Sequence, residues 1–476
     1  MIDWFEFVTR IKPGLELSIG LVIAVAVTVH VLLTKKDTAS ATAWIGLAWL
    51  APFFGGATYF VLGINRVRRR AIRLRAPSAA RTRRHRKGGD AADADHRLAP
   101  LQLGISRITG RPIETGNRID ILNNGDGAYP AMLEAIARAE HSIGLSSYIF
   151  RADKIGHRFI AALAEAQKRG VTVRVIVDGI GSGWLLSPAY RALRQAGLPA
   201  GRFMHSALPW RMSFLNLRSH KKILVVDGRI GFTGGVNVAD QNLLANNPPE
   251  PIQDTHFRIE GPIVAQLTYA FIRDWAFVAQ EELEGEAWYP ELRAHGHSIA
   301  RVVTAGPDED LEKIEQTILQ AIACSRTSIQ VMTPYFLPDQ RVITALGLAA
   351  QRGVAVDIVI PSKNVHRTMD WATQANVGPL LEAGVRIWRC PPPFRHSKLM
   401  VIEGEWSLIG SSNWDMRSFR LNFELSIESY DKALAASLGQ IVAENHSLPL
   451  TLEELNARPF PIRMRDAAAR LLLPYL

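Results

Sequence analysis

One phrase occurs twice in this chain with its internal spacing unchanged. The first copy reads His220-x-Lys222, four residues, Asp227, six residues, Gly234-Gly235-x-Asn237. The second reads His396-x-Lys398, four residues, Glu403, six residues, Gly410-Ser411-x-Asn413. Only the acid and the second small residue change identity. Such a duplication confines the chain to two equivalent halves that deliver the same residues to one symmetric site. The residue types point to phosphate handled from both sides. An imidazole can attack phosphorus or carry a proton, while ammonium and amide groups neutralise or hydrogen-bond phosphoryl oxygens.

The repetition extends upstream of the phrase. Ala131 to Arg138 has the pattern of an amphipathic helix and runs into an apolar strand, His141 to Phe150. Ile314 to Ala323 and Thr327 to Phe336 repeat that order. A second helix in each half ends at a shared Arg-Gly-Val, 169–171 and 352–354, with glycine where a helix C-terminus favours it. Buried β-branched strands follow, Thr172 to Val177 and Ala355 to Ile360. Helix and strand alternate, so both halves are expected to be α/β with largely parallel sheets.

The phrases themselves read as strand-turn-strand. Ile223 to Val226 and Leu399 to Ile402 are the strands, and Asp227-Gly228 and Glu403-Gly404 the turns. The period of two puts each His and Lys on one face. Gly234-Gly235 and Gly410-Ser411 are expected to let the backbone approach a ligand.

The start of the chain has a different character. Leu15 to Leu33 and Thr42 to Leu62 are each about long enough to cross a bilayer as a helix, with a short turn holding Lys35, Lys36 and Asp37 between them. A signal peptide would explain only the first segment, and no small-residue cleavage site follows it. A two-helix transmembrane hairpin is expected, its second arm interrupted by Pro52, Gly55 and Gly56. Eleven Lys and Arg residues then fall between Arg66 and Lys87. Arg10 and Lys12 agree with that block in placing both ends of the hairpin, and the body of the protein, on the cytoplasmic side; Lys35 and Lys36 oppose it. The block can grip anionic lipid or serve only as a retention signal and solubilising linker. His85-x-Lys87 inside it is a decoy, because Ala92 stands where the acid belongs and no Gly-x-x-Asn follows.

The net charge of +10 over 476 residues fits anionic partners, either phospholipid headgroups or nucleic acid. The hairpin and the lack of aromatic residues interleaved with basic ones argue against nucleic acid. Cys324 and Cys390 have no metal-ligand spacing and read as reduced, small apolar residues. No His/Cys/Asp cluster has metal spacing and no P-loop pattern occurs, so neither metal nor cofactor is expected. The basic, apolar tail from Arg458 to Leu476 fits a helix docked on the second half, or one lying in the membrane interface.

These residues resemble the phospholipase D superfamily, whose HKD motif the phrase matches, and within it the bacterial cardiolipin synthases. Supporting context includes Asn216 to Lys222, Thr333-Pro334-Tyr335-Phe336, Gly410 to Phe419, Leu421 to Glu424, and Trp44, Pro52, Gly55, Tyr59 and Gly63-Ile64-Asn65 near the start. Two positions depart from the pattern: Glu403 replaces the usual Asp, and Arg395 precedes His396 where an apolar residue is usual. The resemblance implies two phospholipase D-like repeats, each a β-sheet flanked by helices, packed with pseudo-twofold symmetry. The expected layout is a hairpin over 1–70, a basic flexible linker over 71–105, and repeats over 106–295 and 296–476.

The resemblance also implies phosphatidyl transfer through a phosphohistidine, with phosphatidylglycerol as substrate on the inner face of a bacterial cytoplasmic membrane. By analogy His220 is the nucleophile and His396 the general acid and base, though symmetry leaves the reverse open. Lys222, Lys398, Asn237 and Asn413 would hold the phosphoryl oxygens. Asp227 and Glu403 complete the motif as acids that pair with nearby cations or cap the turn. Asp254 and Glu424, at comparable places downstream, would orient the imidazoles, in their own repeat or in the opposite one. His141, His157, His205, His256 and His366 read as surface or satisfied histidines. A phospholipid hydrolase and a non-catalytic membrane protein, the latter on account of Glu403, stay as alternatives.

Overall fold

The computed structural model describes residues 4–35, 38–63, 97–183, 186–205 and 217–471. Lys36, Asp37, Ile64, Asn65, the arginine-rich stretch with its His85 decoy, Asn216 and residues 472–476 lie outside the described residues. The chain divides into two compact units, Met1–Ala71 and Ile72–Leu476.

In the first unit, helix α1 spans Trp4–Thr34 and α2 spans Thr38–Leu50. The expected second span is not one helix. It breaks at Ala51 and resumes as α3, Pro52–Thr58, which runs into one π-helical turn, Tyr59–Gly63. Pro52 explains the break, since its ring has no N–H and clashes with the preceding turn of a continuing helix. Among the described residues only one helix, over Glu16–Thr34, is long and apolar enough to cross a membrane. Val27, Val31, Ala48 and Tyr59 form the buried seam of this unit.

The second unit is built on one mixed sheet of 16 strands. The first repeat supplies β1 (Glu114–Asn123), β2 (Ser142–Ser147), β3 (Thr172–Asp178), β4 (Ala200–Phe203), β5 (Ile223–Val226), β6 (Ile230–Gly234) and β7 (Thr255–Glu260). The second supplies β8 (Ser298–Ala305), β9 (Ser328–Met332), β10 (Ala355–Pro361), β11 (Arg386–Cys390), β12 (Leu399–Ile402), β13 (Trp406–Gly410) and β14 (Asn422–Tyr430), with β15 (Leu448–Leu450) at its edge. Their order is β15-β11-β10-β9-β12-β13-β14-β8-β1-β7-β6-β5-β2-β3-β4. Apart from β15, the order reads the same outward from the antiparallel contact of β1 with β8, where Glu114 faces Ala300 and Asn117 faces Ser298. That contact marks the pseudo-twofold axis.

The sheet is less parallel than the alternation of elements implies. Within each repeat only β2-β3-β4 and β9-β10-β11 run parallel. Each phrase forms a tight hairpin, β5 with β6 and β12 with β13, and a hairpin is antiparallel by construction.

Helices cover both faces. α4 (Asn124–Arg138) and α5 (Lys154–Lys168) are matched in the second repeat by α6 (Lys313–Cys324) and α7 (Gln340–Gln351). The sequence fixes the ends of α5 and α7 in the same way. Asp153 and Asp339 accept N–H bonds from the first turn, and Gly170 and Gly353 follow the last turn at φ 93° and 92°. One apolar core underlies each repeat, and the second reaches beyond its own sequence. A helix over Ala99–Thr109, begun inside the stretch expected as linker, buries Leu101 and Ile105 in it. Leu98, Leu101 and Ile105 recur at helical spacing, so this segment has an apolar face to bury. The tail helix, Phe460–Arg470, docks through Ala469 against Met369 and Ala372, and Arg458 bonds Gln374.

Candidate active site

Two short strands carry the phrases into the site, and each crosses to the other repeat. Arg218–Ser219 pairs in parallel with Asn422 and Phe423 of β14. Phe394–Arg395 pairs in parallel with Ile252 and Gln253, just ahead of β7. The backbone N–H of His220 donates to the carbonyl of Phe423 at 2.9 Å, and that of His396 to Gln253 at 2.7 Å. This register sets each histidine beside an acid of the opposite repeat. Nδ1 of His220 lies 3.0 Å from Glu424, and Nδ1 of His396 lies 2.6 Å from Asp254. With Nδ1 engaged, Nε2 of each ring is the nitrogen left to work on a substrate. The ring centroids are 6.5 Å apart and the planes cross at 82°.

Lys222 and Lys398 are buried beside the histidines. Nζ of Lys222 donates to the carbonyl of His220 at 2.8 Å. Nζ of Lys398 bonds the carbonyl of His396 and lies 2.8 Å from its Nδ1. Asn237 and Asn413 line the same cavity, of about 990 Å³, with both histidines. Oδ1 of Asn237 accepts the N–H of Ile149, whereas Oδ1 of Asn413 is buried without a partner.

Burial and crowded cations shape the charges here. Desolvation, then Lys222 and Lys398, push the His220 imidazole well below its ordinary range. Desolvation and Lys398 lower His396 to about 3. Both rings are therefore neutral in the empty site. Burial lowers Lys398 to about 8, and burial together with Lys398 lowers Lys222.

The two acids diverge. Burial alone would raise Asp254, but Lys398, His396 and the N–H of Thr255 outweigh it and hold the carboxylate ionised. Glu424 is raised by burial, with Lys222, Ser411 and Asn422 opposing. The surroundings differ to match. Gly235 leaves the room that the Asp254 carboxylate fills, and a Cβ there would collide with Oδ1. Ser411 stands at the equivalent place and donates its hydroxyl to Glu424 at 2.5 Å. The small residue after each strand thus makes way for an acid, rather than for a ligand as its sequence context implied.

Asp227 and Glu403 are placed elsewhere. Each sits in a left-handed turn at the far end of its hairpin strand, at φ 51° and 59°. Asp227 accepts the N–H groups of Glu140, His141 and Ser142 at 3.0, 2.7 and 2.8 Å. Glu403 accepts those of Arg326, Thr327 and Ser328 at 2.9, 2.8 and 3.2 Å, and the Thr327 hydroxyl. They tie down the start of β2 and β9 and pair with no cation in doing so.

Several lining residues escaped the sequence reading. Tyr148 packs edge-on to His220 at 4.8 Å and Tyr335 to His396 at 6.3 Å. Both follow the first long strand of their repeat, so the duplication carried the signal. His366, read as a surface residue, lines the cavity and stacks on Tyr335. Arg218 and Arg417 line it as well. His256 is buried beneath Gly234 with neither ring nitrogen bonded, and burial lowers it to about 3. Among the described residues no group of His, Cys, Asp and Glu converges as a metal site.

A duplicated α/β body whose halves exchange acids across facing histidines defines a two-motif protein of the phospholipase D class. The chain belongs to the cardiolipin synthase family of that class: the family model described as cardiolipin synthase, PLD-like domain, matches residues 132–275 and 318–445. A model for the phospholipase D-nuclease N-terminal region matches residues 22–63. The chain is 33% identical to a cardiolipin synthase of Geobacillus thermodenitrificans, over 93% of this chain and 90% of that one. It is 30% identical to the major cardiolipin synthase ClsA of Bacillus subtilis, over 97% and 98%. The crystal structure of a phosphatidylserine synthase from Haemophilus influenzae shares the fold, with a TM-score of 0.61 at 15% identity, covering 80% of this chain and all of that one.

Proposed function

We propose that this chain joins two phosphatidylglycerol molecules into cardiolipin and releases glycerol. The observation that carries the reading is the pair of facing imidazoles, each backed by the other repeat's acid. Nε2 of His220 attacks the phosphorus of the first lipid, and the bond from phosphorus to the headgroup glycerol oxygen breaks. His396 gives that oxygen its proton, glycerol leaves, and the phosphatidyl group stays on His220. The terminal hydroxyl of a second phosphatidylglycerol then enters. His396 takes its proton, the alkoxide attacks phosphorus, and the bond to His220 breaks.

The acids support this division of roles. Protonating an imidazole in a buried site needs a countercharge, and the ionised Asp254 supplies one to His396. The phosphodiester anion adds to it by offsetting Lys222 and Lys398. Glu424 keeps Nδ1 of His220 engaged so that the ring presents Nε2 as a nucleophile. Lys222, Lys398, Asn237 and Asn413 hold the phosphoryl oxygens as charge develops. Asp227 and Glu403 act only through the fold. Glu403 makes the same set of bonds as Asp227, which removes the ground for a site disabled at that position.

The lipid substrate lies in a bilayer, and the anionic surface of its cytoplasmic face is the partner that the +10 charge fits. The body then stands on that face, its two repeats near 106–295 and 296–476. The test is mass spectrometry of lipids after purified full-length protein meets phosphatidylglycerol vesicles. Cardiolipin with one glycerol per turnover is expected. Phosphatidic acid alone would make the chain a hydrolase, and no product would remove the enzymatic reading.

A further inference from the structure

The first unit does not fold as two passes. Contacts along α1 fix the course of α2 and α3. α2 starts beside the end of α1, and Trp49 near its end donates to the hydroxyl of Thr28 at 3.0 Å. Pro52 and Phe53 then lie against Gly20. From there the direction reverses. Gly56 packs on Ile23, and Tyr59 reaches back to His30, its hydroxyl 2.7 Å from Nδ1. The ring of Tyr59 also meets Trp44 at 5.3 Å, so α3 climbs beside α2 in the opposite sense. Positions 20, 23 and 30 of α1 thus meet 52–53, 56 and 59 in ascending order. α3 runs parallel to α1, and the chain at Gly63 has returned toward the end of α1 that carries Lys35.

Length agrees with this course. The 13 residues of α2 rise about 20 Å, short of a hydrocarbon core of about 30 Å. A turn inside a bilayer must satisfy its own backbone. Here Ala51 donates to Leu47 at 3.0 Å and Gly55 to Ala51 at 2.6 Å, while Pro52 at the first position of α3 brings no N–H that needs a partner. The glycines serve the return as well. A Cβ on Gly55 would come within 2.5 Å of the Leu47 carbonyl of α2, and one on Gly56 would collide with Ile23 of α1. Small residues at adjacent positions let α3 lie close to both helices at once. Leu17, Val22, Leu32, Phe54 and Phe60 point outward, a surface suited to lipid chains.

We infer that α1 is the only crossing and that α2 with α3 is a re-entrant hairpin, which enters the bilayer from the Lys35 side and leaves on the same side. The inference rests on the reading that the body of the protein is cytoplasmic. Lys35 and the arginines from Arg66 onward then share the cytoplasmic face, and Arg10 and Lys12 lie across the membrane from them. The balance of cations is the same for this arrangement and for two passes, so the packing decides between them.

Single cysteines at Glu6, Lys35 and Ser78, in full-length protein with Cys324 and Cys390 replaced by alanine, would be labelled in intact cells by a membrane-impermeant maleimide. Each variant is first shown to retain lipid product formation. Labelling of Glu6→Cys from outside, with Lys35→Cys and Ser78→Cys labelled only after lysis, is expected. Labelling of Lys35→Cys alone from outside would restore two passes and overturn the inference, leaving the cytoplasmic reading intact. Protection of all three would deny that α1 crosses. Labelling of Ser78→Cys from outside would overturn the cytoplasmic reading itself.

Discussion

Asp254 of the first repeat sits 2.6 Å from Nδ1 of His396 in the second and stays ionised there, whereas its counterpart Glu424, 3.0 Å from His220, is driven toward its neutral form. A site that is symmetric in its backbone is therefore asymmetric in charge. Asp254→Asn keeps the shape and removes the charge that supports a protonated His396. Its kcat on phosphatidylglycerol is expected to fall by about 10²–10⁴, the range lost when general acid–base catalysis or an orienting carboxylate is removed. Glu424→Gln removes less charge and is expected to stay within about tenfold of the parent. Equal losses in the two variants would contradict the assignment.

The space for that carboxylate is a missing side chain. Gly235→Ala places a methyl group on Oδ1 of Asp254 and must push the acid away from His396. The expected outcome is a loss of kcat close to that of Asp254→Asn, with thermal stability lowered by about 1–3 kcal/mol for the overpacked site. Combining Gly235→Ala with Asp254→Asn should cost little more than either change alone, because both act on one contact. Additive losses in this double-mutant cycle would show that Gly235 acts by another route.

Much of this was legible in the sequence because it was written twice. The phrase, the Arg-Gly-Val helix ends and the strand after each gave the two α/β halves. They also named both histidines, lysines and asparagines that line or flank the cavity, and both acids behind the histidines. What the sequence did not hold was the partner of each acid. Asp254 and Glu424 occupy equivalent positions, and only the docking of Arg218–Ser219 on Asn422–Phe423, and of Phe394–Arg395 on Ile252–Gln253, decides which imidazole each one meets. The same limit hid the break at Ala51. Hydropathy reads a run of apolar residues alike whether the helix continues or turns back, and Pro52 acquires its meaning only from what Gly55 and Gly56 pack against.

The buried lysines predict the alkaline side of the pH profile. Burial lowers Lys398 to about 8 and moves Lys222 in the same direction. A lysine with a depressed pKa is charged below that value and loses its charge as pH rises through it. kcat/KM, which reports the free enzyme, is expected to fall above about pH 8, and to be flat down to about pH 5 because His396 takes a proton only near 3. A bound phosphodiester anion favours the ammonium forms, so the fall in kcat is expected at higher pH than the fall in kcat/KM. Lys398→Arg keeps the charge at all these values and should move the alkaline fall of kcat/KM upward. A profile unchanged by that substitution would assign the fall to another group.

Glu403 is the position where the chain departs from its family's motif, and its surroundings predict what the departure costs. The carboxylate lies in the turn after β12, bonded to three successive N–H groups that open β9 and to the Thr327 hydroxyl. Glu403→Asp shortens the reach by one methylene. It should weaken the hydroxyl bond, keep most of the N–H bonds as Asp227 does, and lower stability by about 1 kcal/mol or less. Glu403→Ala leaves those N–H groups to water in a partly exposed turn, at a cost of about 1–3 kcal/mol. In both variants the kcat of the folded fraction, measured well below the melting temperature, is expected within about twofold of the parent, since neither change reaches His396 or Lys398. A rise of tenfold or more in Glu403→Asp would mean that this acid sets the geometry of the second motif, and that the glutamate holds the enzyme back.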